Sequence, residues 1–159
     1  MALTLAMGIA AALLGLLQQQ ISFTRALNDF QFLRDDAPQI NTLLTNIINK
    51  ADNYRIYPNL ASAKALTGAV RSDGRSVRLR FRNPDGTYDQ AIVSFEIRSG
   101  EKQLNYYFRD KASTGWSSAP NWTISKKPTT VDFDNSTGLL LVTLIGQKGD
   151  EITYAGNPD

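Results

Sequence analysis
The hydrophobic pattern changes period along the chain. Met1 to Leu17 reads MALTLAMGIAAALLGLL, with Thr4 its only polar side chain, and the first charge of either sign is Arg25. Beyond it, apolar residues recur every three or four positions: Phe23, Leu27, Phe30, Leu33, Ala37, Ile40, Leu44, Ile47, Ile48 and Ala51. Arg25, Asn28, Asp29, Arg34, Asp35, Asn41, Thr45, Asn49 and Asp52 fill the other side. That spacing predicts an amphipathic helix with a single apolar stripe. Ile40, Leu43, Leu44, Ile47 and Ile48 are its most regular part and the expected anchor of the helix on a core. Pro38 lacks an N–H and crowds the preceding turn. Because the stripe keeps its phase across Pro38, the expectation is one kinked helical region from near Met1 to about Asn53, roughly 80 Å if continuous. Alternatively, Asp36 caps a fresh helix with Pro38 in its first turn. Tyr54 to Pro58 ends the helical region.

From Val70 onward the period is two. Val77, Leu79 and Phe81 alternate with Arg78, Arg80 and Arg82, which predicts a strand over 76–82. Asn83-Pro-Asp-Gly86 is turn chemistry. A strand over 91–98, a turn at Ser99-Gly100 and a strand over 103–109 complete an antiparallel meander, one face buried and one wet. Short strands are expected at 122–125, 130–133, 139–145 and 151–154. The fold class read from this pattern is α+β. It consists of a long N-terminal helix, apolar and then amphipathic, kinked near Pro38 and packed on an antiparallel β-sheet. Residues 1–24 are expected to form an apolar helix suited to a membrane. Residues 25–159 form a soluble head, with helix 25–53 and sheet 70–155.

The apolar run has three readings. A secretory signal wants basic residues ahead of it and a small-x-small cleavage site, and neither is present. A buried core helix needs other helices around it, which the rest of the chain does not supply. A membrane-embedded helix remains, although 17 residues span roughly 25 Å where a bilayer core asks for about 30 Å. Gly8-xxx-Ala12 and Ala11-xxx-Gly15 carry the small-residue spacing of close helix contact.

Composition narrows the chemistry. The 159 residues include no Cys and no His, which removes disulfides, thiol nucleophiles, imidazole bases and Cys/His zinc sites. Seventeen Lys and Arg against fifteen acids leave a net charge of +2, too small to point to a polyanionic partner. Asp35 and Asp36 beside Arg34 read as a solvated ion-paired face, and Lys126-Lys127 as an exposed loop. No glycine pattern cradles a phosphate. No catalytic residue and no cofactor is expected. Asp132, Asp134 and Asn135 before Gly138 resemble a calcium loop faintly, without its bidentate glutamate; Asn-Ser-Thr-Gly is ordinary hairpin chemistry. Arg78, Arg80 and Arg82 share a strand face with Arg71 and Arg75 nearby, a possible basic binding face with Tyr106, Tyr107 or Trp116 as stacking groups. Glu96 and Asp110 are placed to pair with these arginines, so a mixed-charge wet face is expected and nucleic acid is not an expected partner.

The apolar start MALTLAMGIAAALLGLLQQQ, followed by RALNDFQFLRDDAPQINTLLTNIINKADNYRIYP, resembles the type IV pilin superfamily over about 58 residues. It is similar to the minor pilins and pseudopilins that cap or initiate a filament. The resemblance implies a single-pass inner-membrane subunit with a periplasmic head, packed after assembly into an extracellular or periplasmic filament through its N-terminal helix. Leu3, Leu5, Gly8, Ile9, Ala12, Leu13, Gly15, Leu16 and Leu17 would make that packing. The implied partners are other pilin or pseudopilin subunits, the inner-membrane assembly platform and the lipid bilayer. Family members begin with a basic leader, a glycine, usually a phenylalanine and soon a glutamate. MALTLAMGIAA resembles the segment just after that glutamate, so the sequence is expected to start several residues late. The competing expectation is a signal-anchored periplasmic binding module that does not polymerise.

Overall fold
A computed structural model describes residues 2–156, with only the backbone of residues 2–12, 26, 28 and 29. The chain forms two compact units, Met1–Gln31 and Phe32–Asp159. The first holds helix α1 (Ala2–Asp29), about 42 Å long at 1.5 Å per residue. Among the described residues, no helix is long and apolar enough to cross a membrane.

The single long helix expected from the pattern is not formed. A π-helical turn at Phe32–Asp36 precedes α2 (Ala37–Ile48), so the helical region is divided around residues 30–36 and not kinked at Pro38. Pro38 lies in the first turn of α2, where its missing N–H has no intrahelical partner to lose. Asp36 is the N-cap residue, as in the alternative reading, but its side chain makes no capping hydrogen bond. A π turn holds extra chain per turn and shifts the phase of the stripe. Phe32, not Leu33, is consequently the buried residue there.

Within the second unit, β1 (Asn53–Tyr57), β2 (Ser76–Arg82), β3 (Tyr88–Arg98), β4 (Glu101–Arg109) and β5 (Trp122–Ser125) form a five-stranded antiparallel sheet in sequence order. A second sheet contains β6 (Thr130–Asp134), β7 (Leu140–Ile145) and β8 (Glu151–Gly156), also in order. Sequential neighbours need only short turns. Ser99 and Gly100, both at positive φ, make the β3–β4 turn. The sheets meet where Gly74 and Phe133 exchange backbone hydrogen bonds of 3.2 and 2.8 Å. A side chain at Gly74 would collide with Ile56 and crowd the carbonyl of Tyr57, so glycine is required by the close approach.

The core lies between α2 and the inner faces of both sheets. Ala37, Ile40, Leu44 and Ile48 pack with Val77, Leu79, Val93 and Leu104 from one sheet and Val131, Phe133, Val142 and Leu144 from the other. Each buried Leu or Ile contributes roughly 1.5–3 kcal/mol. The expected anchor set needs one correction: Leu43 is 40% exposed and Ile47 only partly buried, because they flank the stripe. The boundary of the first unit, after Gln31, lies further along than the division drawn at residue 24.

The expected wet face of the meander is covered in part. β1 and the short helix α3 (Leu60–Ala65) were not anticipated. Asn59 caps α3 by accepting from the Ser62 N–H at 2.9 Å. Beneath α3, Tyr57, Ala63, Ile92 and Tyr107 make a second small core, with Leu60 and Trp116 against it.

The β2–β3 turn carries a titrating contact. Asp85 accepts from Lys111 Nζ, from the Thr87 N–H at 3.0 Å and from Thr87 Oγ1 at 2.5 Å. These bonds, Lys111 first, hold its carboxyl well below the ordinary carboxylate value. A lowered carboxylate stabilises the fold above its unfolded pKa, and that stabilisation is lost as pH falls toward the native value. Melting curves should therefore show Asp85→Asn less stable than the parent at neutral pH. The gap should begin to narrow as the pH falls below about 4 and go on narrowing with further acidification. A gap that is constant down to acid would contradict the assignment.

Candidate functional site
Two surfaces carry the residues singled out by the sequence. The first is α1. Its described large apolar side chains, Leu13, Leu14, Leu16, Leu17, Ile21, Phe23 and Leu27, are 45–66% exposed. A Cβ added at Gly15 would meet nothing within 4 Å. Leu3, Leu5, Gly8, Ile9 and Ala12 lie outside the residues whose side chains are described.

The second is the outer face of the five-stranded sheet. Strand alternation puts Arg55 of β1 opposite Arg78 of β2, and Arg80 opposite both Asn53 and Gln90. Gln90 in turn faces Arg109 of β4. Arg78 is buried, whereas Arg80 and Arg82 are exposed. Arg78 Nη1 donates to the carbonyls of Ala63 at 2.8 Å and Lys64 at 3.4 Å, tying β2 to α3. Arg78 Nη2 donates to Gln90 Oε1, which also accepts from Arg109 Nη2 at 2.7 Å. Trp116 lies beside both guanidinium groups, its ring centre 5.2 Å from Arg78 Cζ and 5.0 Å from Arg109 Cζ. Arg80 sits 4.1 Å over the Tyr88 ring, a cation–π placement. Burial, then the neighbouring Arg109, lowers the Arg78 pKa, but an arginine keeps its charge in a protein.

The expected pairing of these arginines with Glu96 and Asp110 does not occur. Glu96 accepts from Tyr107 Oη at 2.5 Å and Asn105 Nδ2 at 2.9 Å. Burial and that bond push the Tyr107 phenol up. Asp110 accepts from Ser113. Among the described residues, the salt bridges include Arg34–Asp35, Arg75–Asp132, Lys111–Asp85 and Lys126–Glu101, and none involves the side chains of Arg55, Arg78, Arg80, Arg82 or Arg109. Cross-strand geometry is the reason: Glu96 stands opposite Gln103, four positions along β4 from Tyr107, which shares a row with Arg55 and Arg78.

The two acids of the faint calcium loop have other commitments. Asp132 pairs with Arg75 at 3.1 Å, although burial pushes its carboxyl up. Asp134 accepts from the Ser136 N–H and Oγ. The Asn135 Oδ1 is buried without a partner. Among the described residues no group of three acids is placed to hold a metal ion.

Sequence reasoning missed Arg55, Asn53 and Gln90. The alternation Asn53, Arg55, Tyr57 is a strand signal, but it overlaps the end of the helical pattern. Comparison with family models, with curated proteins and with solved structures finds no match.

Proposed function
We propose that this chain is a structural subunit of a type IV pilus or type II secretion pseudopilus, of the minor or initiating kind. In this reading it is held in the inner membrane with its head in the periplasm, then packed through α1 into a filament. The observation that carries it is the run of exposed apolar side chains on α1. Apolar area of that extent is a liability in water, since contiguous patches beyond a few hundred Å² mark interaction surfaces. The run continues by sequence through Leu3, Leu5, Gly8, Ile9 and Ala12, which completes a stretch suited to lipid or to neighbouring helices. The head is an α2 stripe laid on antiparallel sheets, coarsely the α+β arrangement that the resemblance implies. Its partners would be other pilin or pseudopilin subunits, the assembly platform and the bilayer.

Fractionation of cells that make the chain tests this. The protein is expected in the inner-membrane fraction and, after shearing, in the filament fraction. Membrane association without any entry into filaments would favour the anchored, non-polymerising module instead.

A further inference from the structure
The outer-face arginines surround a cavity, and its charge is unmatched. Its volume is about 300 Å³, and Arg55, Arg78, Arg80, Asn53, Gln90 and Tyr57 are among the residues lining it. The three arginines have no carboxylate partner among the described residues. Arg78 spends three of its N–H donors on Ala63, Lys64 and Gln90. Since a guanidinium offers five, its Nε–H and one Nη2–H have no acceptor among the described residues. Tyr57, 1% exposed, adds its side chain to the lining. Taking a guanidinium out of water without a counter-anion is costly. Here the Ala63 carbonyl and the Trp116 ring hold Arg78 in place, and Tyr88 holds Arg80. The donors of Arg78 and Arg80 are therefore ordered before anything binds, which lowers the cost of binding.

We propose that this cavity binds the phosphoryl group of a small molecule. A carboxylate carries one charge, whereas a phosphate monoester carries about −1.5 to −2 at neutral pH, closer to what three unpaired arginines demand. Arginine forks also match phosphate oxygens two at a time. A cavity of this size, lined by residues of β1, β2 and β3 and by Leu66, takes a head group with a small substituent and not a stacked polymer. The inference rests on the sheet face alone and does not depend on what α1 does.

Calorimetric titration of the full-length chain in non-ionic detergent tests it, with inorganic phosphate, glucose 6-phosphate and a short-chain phosphatidate as separate probes. Saturable one-site binding is expected for at least one probe, and the tightest of the three identifies the source of the phosphoryl group. Arg55→Gln and Arg80→Gln, both at exposed positions and so expected to fold, should each weaken it about tenfold or more. Lys127→Gln, the same charge change in a distant loop, should leave it unaltered. The proposal is overturned if none of the probes saturates. It is equally overturned if Lys127→Gln weakens binding as much as Arg80→Gln, or if galacturonate binds as tightly as the best phosphate. Duplex DNA that binds while all three phosphates do not would also overturn it.

Discussion

Phe133→Ala is expected to lower the stability of the head by about 3–5 kcal/mol, a large part of the roughly 5–15 kcal/mol a domain has in total. Phe133 is fully buried among residues of both sheets and the α2 stripe. Its neighbours cannot close over the space an alanine leaves, because its own backbone is held to Gly74 through two hydrogen bonds. The cavity term is therefore added to the lost transfer energy. Thermal melting of the variant should show a fall in Tm of more than about 10 °C. Phe108→Ala, at a residue 39% exposed, should cost about 1 kcal/mol or less. Equal effects of the two would mean that the sheets do not share one core.

The second large effect is expected on α1. Leu13 and Leu17 are four residues apart and so share a helix face, both more than half exposed. The double variant Leu13→Arg, Leu17→Arg should leave the melting curve of the head unchanged, since neither side chain is buried. In a membrane or a dry filament core each arginine costs about 2.5–3.5 kcal/mol near the helix centre. Two of them add to about 5–7 kcal/mol if they act independently, which is more than about a thousandfold in partitioning. Loss of the variant from membrane and filament fractions, with the head still folded, is the expected result. Unchanged fractionation would show that α1 packs against neither lipid nor other subunits.

How far the fold could be read ahead depended on how locally each element is determined. The α2 stripe and strands β2 to β8 were legible because alternation and helical spacing are written in consecutive residues. Strand β5 falls on the expected positions, Trp122 to Ser125. The π turn at Phe32–Asp36 was not legible: Leu33 and Ala37 keep helical spacing in the sequence, and only the packing of Phe32 in the core reveals the shifted phase. α3 is six residues long, too short for a periodic signal, although Asn59 before Leu-Ala-Ser-Ala was a readable cap. Missing β1 and α3 together made the arginine face look wet. In the sequence Arg78, Arg80 and Arg82 are equivalent positions. The structure separates them, because α3 buries the first while the other two remain exposed. That their guanidinium groups have no carboxylate partner among the described residues follows from strand register, which composition does not encode.

The central claim is that α1 packs against copies of itself, and the absence of cysteine from the chain allows a direct measurement. Leu16→Cys, at an exposed position of α1, introduces the only thiol. After mild oxidation of intact filaments, non-reducing gel electrophoresis should show disulfide-linked dimers from Leu16→Cys and none from Ile97→Cys on the head. Dimers from Ile97→Cys alone, or a Leu16→Cys protein that stays monomeric throughout, would contradict the account.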